Sequence, residues 1–325
     1  MSPPVLLIIF NRPEHTRRAL AAIRPSRPST LLVVADGPRS AAEASLCAET
    51  RDVIAEVDWD CAVLKNYSEK NLGCGIRVHT GIDWAFSQFE ELIVLEDDCI
   101  PTPSFFAYCA ALLEYYRDDE RVMHIGGFNL QATTPVTSHS YYFSKYTIAS
   151  GAWATWRRAW KFYDAKLSSW PAAKSKGVIE SWCNDRYEQG YWGEIFDRMF
   201  RGAPDVWDYQ WNYACWVQNG LAILPSVQLA TNIGFGPDAT HTKSPIPSLM
   251  CAPGEIGQID HPPFMIRNRE ADTYIFENSF GGAALKQADS LRAKVRRRLG
   301  PLLWPLRSVK KVVGIARRQN RTTDR

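Results

Sequence analysis

Five short apolar runs recur in the first 125 residues, and longer stretches with helical character separate them. The runs are rich in Val, Ile and Leu, which is typical of strands buried on both faces of a sheet. Alternating strands and helices predict an α/β fold with a mostly parallel central sheet and helices on both faces. The predicted strands are Val5–Phe10, Leu31–Ala35, Ala62–Leu64, Leu92–Leu95 and Val122–Ile125.

The stretches between these runs predict the helices. Pro103 and Ser104 form a start signal for one of them, because proline fits the first turn of a helix. From Gly126 onward the chain is rich in Trp, Tyr, Gly and Pro, and its periodicity is weak. The predicted helices are Glu14–Ile23, Ala41–Val57, Gly75–Phe89, Ser104–Tyr116, Ala152–Tyr163 and Glu188–Phe200.

Polar or charged residues follow each of the first four predicted strands. In open α/β sheets, ligands bind beyond the carboxyl ends of the strands. Four polar strand ends that meet at one edge of the sheet therefore predict a ligand site there. The four groups are Asn11 with Arg12, Asp36 with Gly37, Asn66 with Glu69, and the triplet Glu96–Asp98.

Aromatic content is high for a chain of 325 residues. Twelve tryptophans are present, and nine of them lie between Trp153 and Trp216. One interpretation is a large aromatic core, and the other is a set of exposed aromatic platforms that stack on sugar rings. Composition alone favours the core, and the 46% hydrophobic content indicates a globular protein.

Charge is distributed unevenly along the chain. From Lys286 onward there are 13 Lys or Arg and 2 Asp or Glu, whereas the residues before it carry 25 basic and 33 acidic side chains. The basic tail alternates with Leu, Val and Ile, and prolines interrupt any single helix. Two interpretations stay open: a segment that lies on an anionic membrane surface, and a disordered, solubilising end.

Cysteine usage indicates a reducing compartment. None of the eight cysteines forms a CxxC pair or has the spacing of a zinc site. The N-terminal apolar run, Val5–Phe10, is too short to span a bilayer and lacks a basic region before it. We therefore expect a cytoplasmic protein with free thiols. The basic tail can bring this protein to the inner face of the membrane. We expect no nucleic-acid partner.

The acidic triplet Glu96–Asp98 directly follows an apolar run. Such acids can simply cap a helix or stay solvated, but adjacent carboxylates raise each other's pKa unless a cation or hydrogen-bond donors neutralise them. A divalent cation held there would neutralise an anionic ligand such as a diphosphate. The absence of a Walker A loop and of a GxGxxG fingerprint supports this interpretation, because no glycine-rich backbone cradle is present for phosphates.

Four segments carry a resemblance to a known family: LIIFNRPEHTRRAL, VVADGP, NLGCGIRVHTGIDWAF and VLEDDCIPTPSFFAYCAALLEYY. They look like the nucleotide-sugar half of a GT-A glycosyltransferase. More closely, the chain resembles bacterial family-2-like glycosyltransferases similar to N-acetylglucosaminyltransferase I. In that enzyme EDD replaces the usual DxD and precedes a proline and a Phe-Phe helix, as Pro103 and Phe105-Phe106 follow here. The resemblance covers Val5–Asn129 well and Gly151–His241 loosely.

The resemblance implies roles for residues of the donor half. Asp98 would ligate Mn2+ or Mg2+ bound to the diphosphate, and Asp97 and Glu96 would contact ribose or sugar hydroxyls. Gly73 and Gly75 would allow close approach of the backbone. The remaining implied donor contacts are Arg12 and Asp36 at the nucleotide base, and Asn71, Gly73 and Arg77 near the sugar or phosphates.

The resemblance also implies roles in the second half. Trp153, in SGAWATW, corresponds to an element that packs beside the donor sugar, and His241 is a candidate for a metal or phosphate contact. Inverting transfer needs a general base, and the resemblance places Asp208 there. Asp205 and Asp185 are rival bases, and an N-cap role for Asp208 is the structural alternative.

Together these features predict a metal-dependent, inverting transfer of a hexosyl or N-acetylhexosaminyl group from a nucleotide sugar, with a UDP-sugar favoured. The acceptor is expected to be a glycan or a lipid-linked molecule in cell-surface polysaccharide or glycolipid assembly. Residues 1–285 would form the transferase domain, with a donor half at 1–129 and an acceptor half at 130–285, followed by the tail at 286–325. The alternative is a non-catalytic carbohydrate-binding or membrane-active protein.

Three other protein classes are disfavoured. The glycine-rich loops of a nucleotidylyltransferase and of a Rossmann dehydrogenase are absent from the sequence. A phosphotransfer domain is much shorter than this chain.

Overall fold

A central sheet of eight strands organises the fold, in the order β3-β2-β1-β4-β8-β6-β9-β7. The computed structural model describes residues 2–131, 136–149, 151–202, 205–235, 249 and 251–290. Four of the seven pairings in the sheet are parallel and three are antiparallel. A separate two-stranded sheet joins β5 to β10. The strands are β1 Val5–Ile9, β2 Thr30–Ala35, β3 Ala62–Tyr67, β4 Glu91–Glu96, β5 Cys99–Pro101, β6 Val122–Gly126, β7 Tyr141–Ser144, β8 Ala152–Trp156, β9 Leu221–Pro225 and β10 Ala230–Asn232.

The helices begin where the sequence places capping residues in several cases. Thr102 caps the helix that starts at Pro103, and its hydroxyl accepts a hydrogen bond from the Phe105 N–H. The helices are α1 Pro13–Ile23, α2 Ala44–Asp52, α3 Cys74–Phe86, α4 Pro103–Tyr115, α5 Arg157–Trp160, α6 Trp170–Ser175, α7 Val178–Trp182, α8 Arg186–Phe200, α9 Asp208–Val217 and α10 Arg269–Ser279, with 3-10 turns at Arg24–Ser26, Ala41–Glu43 and Val53–Glu56.

Helices cover both faces of the sheet. One face packs against α3 and α9, where Trp153 of β8 lies in a cluster with Val78 and Trp211. Alternate residues of a strand point to opposite faces, so Trp156 points the other way, and its indole N–H donates to the Leu113 carbonyl of α4. The predicted α/β fold with helices on both faces is therefore confirmed.

The predicted helix Ala152–Tyr163 is wrong in its first part. Residues Ala152–Trp156 form β8, which pairs antiparallel with β4 and β6, and only Arg157–Trp160 are helical. All five residues of β8 are buried. Ala favours a helix locally, whereas Thr and Trp are common in strands, so the local preference is weak. The open edge of β4 offers hydrogen-bond partners to an inserted strand, and this tertiary pairing decides the outcome.

The tryptophans form a core. All nine tryptophans from Trp153 to Trp216 are at most 7% exposed, and Trp153 and Trp211 are fully buried. Trp153 stacks on Trp207 with ring centroids 5.5 Å apart, and Trp160 stacks on Tyr163 at 4.4 Å. The aromatic-core interpretation of the composition is therefore confirmed.

Contacts divide the chain into two compact units, Met1–Ile275 and Phe276–Arg325. Within the second unit, residues 282–290 are helical and the described part ends at residue 290. Most of the predicted basic tail thus lies outside the described residues. None of the helices in the described part of the chain combines the length and the apolar character that crossing a bilayer requires.

Candidate functional site

A cavity of about 450 Å3 opens at the carboxyl ends of β1, β2 and β4. Of the residues that the sequence singled out, ten line it: Arg12, Asp36, Asn71, Gly73, Arg77, Glu96, Asp97, Asp98, Asp205 and Asp208. The sequence placed these residues at the ends of separate elements. The parallel register of β1 with β2 and β4 aligns those ends and brings the side chains together.

The acidic triplet lies at the end of β4, as predicted. Asp97 is 2% exposed, whereas the side chain of Asp98 is 18% exposed. The Asp97 N–H donates to the Ile8 carbonyl of β1, which fixes the turn after the strand. The guanidinium of Arg12 forms ion pairs with two residues of the triplet, Asp97 and Asp98.

Burial raises the pKa of two residues of the triplet, Glu96 and Asp97. It raises the pKa of Glu96, and the negative charges of Asp98 and Asp97 raise it further. Burial also raises the pKa of Asp97 to about 6, although the Arg12 guanidinium acts in the opposite direction. The raised pKa favours the uncharged form of Glu96, and the Arg12 guanidinium offsets part of the negative charge that remains at the cavity.

The acidic triplet offers oxygen ligands of the kind that a divalent cation prefers. Asp97 Oδ2 is buried and has no hydrogen-bond partner among the described residues. Within the same residues, no three His, Cys, Asp or Glu side chains come close enough together to hold a metal ion. The site therefore fits a cation that takes one or two carboxylates from the chain and its other ligands from a substrate, which is how Mg2+ is commonly bound. His241, the other predicted metal contact, lies outside the described residues.

Asp36 fastens the loop that precedes α3. Its carboxylate accepts hydrogen bonds from the N–H groups of Gly37 and Leu72, each at 2.9 Å, and of Gly73 at 3.1 Å. It also accepts from the side-chain amide of Asn71 at 3.0 Å. A carboxylate has about four acceptor positions, so these donors occupy all of them. Asp36 thus shapes the cavity wall, and its predicted contact with the base stays a prediction.

Arg77 joins the ends of two strands. Its Nε donates to the Ala35 carbonyl at 3.1 Å, and its Nη2 donates to Asn66 Oδ1 at 2.8 Å. The side chain is buried and still borders the cavity. Asn66, one of the polar strand ends, is thereby used in the scaffold of the site.

Among the three acids proposed as general base, two serve helix starts. Asp185 caps α8 by accepting from the Tyr187 N–H at 2.7 Å, and Asp205 accepts from the Cys74 and Gly75 N–H groups at the start of α3. Asp208 is the first residue of α9, and Trp207 occupies the N-cap position. The N-cap alternative for Asp208 is therefore wrong, and its presence at the cavity leaves the base assignment open to test.

Trp153 does not lie where the sequence placed it. The side chain is fully buried between His124 and Trp207 and is not among the described residues that line the cavity. Its position in β8 points the ring toward α3 and α9, because neighbouring Ala152 and Ala154 face α4. The predicted packing of Trp153 beside a donor sugar is wrong.

Several cavity residues escaped the sequence reasoning. Phe10 and Arg39 follow β1 and β2, and the guanidinium lies over the ring at 5.2 Å. Their positions after predicted strands were a usable signal. Cys74 and Tyr209 adjoin the predicted site residues Gly73 and Asp208. Other lining residues are brought in by distant segments and had no local signal, among them Asn232, Gly234, Phe235 and Leu249.

No protein-family profile matches the sequence, and no curated protein sequence matches it. Solved structures do match by shape. One is GalNAc-T7 with UDP, GalNAc and Mn2+, at 12% identity and a TM-score of 0.43 over 70% of this chain and 43% of that one. Another is glucosyl-3-phosphoglycerate synthase from Mycobacterium tuberculosis with Mn2+, UDP-glucose and glycerol 3-phosphate, at 11% identity and a TM-score of 0.30 over 50% of this chain and 59% of that one. The chain thus spans about half the length of these structures, and at such scores the likeness carries no argument about its activity.

Proposed function

We propose that the chain is a glycosyltransferase of GT-A type, which transfers a sugar from a nucleoside-diphosphate sugar to an acceptor hydroxyl. The observation that carries the proposal is the composition of one cavity. Glu96, Asp97, Asp98 and Arg12 line it from the proposed donor half, residues 1–129, and Asp208 lines it from the proposed acceptor half, residues 130–285. Acids on both sides of one cavity supply separate groups for holding a donor and for activating an acceptor.

Mn2+ or Mg2+ belongs to this proposal as the partner of the acidic triplet. Asp98 is the ligand we assign to it, because its carboxylate is the more accessible of the pair that Arg12 contacts. When bound, such a cation neutralises the diphosphate and stabilises the charge that develops on the leaving group. The buried, unpartnered Oδ2 of Asp97 provides a further acceptor at the same place.

The chain's own residues divide the remaining work. Asp208 takes the proton of the acceptor hydroxyl, whose oxygen then attacks the anomeric carbon from the face opposite the leaving diphosphate, so that the configuration inverts. Glu96 and Asp97 hold hydroxyl groups of the donor. Arg12 keeps two of the carboxylates in place and offsets part of their charge.

The finer features of the proposal rest on sequence. Resemblance favours a UDP-sugar that carries a hexosyl or N-acetylhexosaminyl group, and an acceptor that is a glycan or a lipid-linked molecule. The basic residues from Lys286 onward support a role at an anionic membrane surface, where surface polysaccharides or glycolipids are assembled. The carbohydrate-binding alternative loses its main support, since the nine tryptophans from Trp153 to Trp216 are buried.

A thermal-shift panel tests the proposal. The full-length protein is heated with uridine, guanosine and thymidine diphosphate sugars, each with Mn2+ or with EDTA. One base class should raise the melting temperature in the presence of Mn2+ only, because binding to the folded state stabilises it. Release of the nucleoside diphosphate from the same donor should follow in an activity assay. If no nucleotide sugar shifts the melting temperature and none is consumed, the proposal is wrong.

A further inference from the structure

The start of α3 and the start of α9 are joined across the chain by one carboxylate. Asp205 Oδ2 accepts from the Cys74 N–H at 3.0 Å, and Asp205 Oδ1 accepts from the Gly75 N–H at 2.7 Å. These residues are about 130 positions apart in sequence, so the contact connects the proposed donor half to the proposed acceptor half. Only two residues separate Asp205 from Asp208.

Two glycines make room for this contact. A Cβ atom at Gly73 would lie 2.5 Å from Asp205 Oδ2, and one at Gly75 would lie 2.7 Å from Asp205 Oδ1 and about 3.1 Å from the Val206 carbonyl oxygen. Gly73 also has a φ of +83°, which disfavours any side chain. Residues 205 and 206 of the same chain therefore pack against the backbone at Gly73 and Gly75, in the space that a side chain there would fill. The sequence analysis did not predict this contact.

The segment from Asp205 to Trp207 is held at both ends. Trp207 is 4% exposed, stacks on Trp153, and its carbonyl accepts from the Tyr163 hydroxyl at 3.2 Å. With Asp205 bound to α3 and Trp207 in the core, the first residue of α9 has little freedom. That residue is Asp208, whose side chain borders the same cavity as the triplet.

We infer that Asp205 is a positioning residue, which sets the distance between Asp208 and the donor side of the cavity. The inference rests on the proposed function, because it assigns Asp208 as the base. Without the two hydrogen bonds from α3, the segment before α9 loses this direct connection to the proposed donor half. A displacement of about 1 Å at a reacting group can lower the rate about 100-fold. Asp205 also borders the cavity itself, and a positioning role predicts that its removal lowers turnover much more than it weakens nucleotide binding.

Two variants of Asp205 and one glycine variant test this inference. Asp205→Ala removes both acceptors, Asp205→Asn keeps one, and Gly75→Ala pushes the carboxylate away while leaving it in the sequence. Asp164→Ala is the matched control, because Asp164 also accepts two backbone N–H groups, from Lys166 and Ser168, and does not line the cavity. For each protein we would measure kcat with the nucleotide sugar that the thermal-shift panel identifies, and the dissociation constant of UDP in the presence of Mn2+.

The expected result is a separation of turnover from binding. Asp205→Ala and Gly75→Ala should lower kcat at least about 10-fold, Asp205→Asn should recover part of it, and the dissociation constant should change less than about threefold. The double variant Asp205→Ala/Gly75→Ala should be little worse than either single variant, because both remove the same contact. The control should keep the wild-type kcat.

Two outcomes would overturn the inference while leaving the proposed function intact. The first is wild-type kcat in folded Asp205→Ala and Asp205→Asn proteins. The second is a loss of UDP binding as large as the loss of kcat, which would make Asp205 a donor-binding residue of the cavity that it borders. If the wild-type protein consumes no nucleotide sugar at all, the proposed function itself is wrong and the inference falls with it.

Discussion

Gly234 lies so close to Asp98 that a Cβ atom at position 234 would be 2.2 Å from Asp98 Oδ2. The neighbouring Ile233 N–H donates to the Asp98 carbonyl at 2.8 Å, and β10 pairs with β5 just beside it. A segment from the second half of the chain thus packs directly on the acid that we assign to the metal. The absence of a side chain at 234 is what allows the Asp98 carboxylate to stand where it does.

Gly234→Ala should therefore weaken metal-dependent binding. The methyl group has to displace either the Asp98 carboxylate or the backbone of residues 232–235, and we expect the affinity for UDP with Mn2+ to fall at least about 10-fold, or about 1.4 kcal/mol. Gly257→Ala is the control, because its Cβ would meet no atom within 4 Å. Calorimetric titration of both variants makes the comparison, and equal affinities would contradict the assignment of Asp98.

Asp98→Ala tests the same ligand directly. Removing the carboxylate should abolish the Mn2+-dependent part of donor binding and of transfer, since a bound cation would lose its accessible ligand from the chain. The measurement is the thermal shift with UDP in Mn2+ and in EDTA. If the variant keeps full activity in metal-free buffer, the metal-dependent mechanism is wrong.

Asp208→Asn separates catalysis from binding at the proposed base. The amide has nearly the same shape but cannot take a proton, so kcat should fall about 100-fold or more while UDP binding with Mn2+ is preserved. Steady-state kinetics and a binding titration on one protein sample decide the point. Loss of binding together with turnover would indicate a structural role for Asp208.

Acid should destabilise the protein through His124. This residue is fully buried, accepts from the Trp211 indole at 3.2 Å, and burial lowers its pKa to about 3. Because the folded-state pKa lies below that of the unfolded chain, the stability that neutral His124 contributes is present above pH 6.5 and is lost as the pH falls toward 3. Between pH 7 and pH 5 the loss from this group is about 2 kcal/mol.

His124→Gln checks the sign of that effect. Glutamine does not titrate, so the free energy of unfolding should change less between pH 7 and pH 5 in the variant than in the wild type. Urea unfolding at the two pH values provides the measurement. An identical pH dependence in both proteins would assign the acid sensitivity to other groups.

Removal of residues 286–325 tests the proposed membrane contact. The segment carries 13 Lys or Arg and 2 Asp or Glu, so the full chain should sediment with vesicles that contain phosphatidylserine and the shortened chain should stay in solution. Vesicles of phosphatidylcholine alone are the control, and high salt should weaken the binding. Unchanged sedimentation of the shortened chain would remove the tail from the proposal.

Much of the donor side of the cavity was readable in the sequence. The apolar runs Val5–Phe10, Leu31–Ala35 and Leu92–Leu95 have a composition that itself favours buried strands, and the polar residues after them were expected to meet at one edge of a parallel sheet. The tryptophans were likewise assigned to a core on composition. These properties depend on residues that are neighbours in the chain, which is why periodicity and composition report them.

The other side of the cavity was decided by contacts between distant segments. Ala152–Trp156 became a strand because β4 and β6 offered hydrogen-bond partners, although the sequence predicted a helix there. Asp205 reached the start of α3, and Gly234 reached Asp98, each from more than 100 residues away. No local pattern encodes which backbone a carboxylate will meet after folding. The sequence by itself determined the parallel strands of the donor side and the acids at their ends, because these depend on local composition. Only the tertiary structure decided which distant backbone groups the acids contact, because those contacts form when distant segments pack together.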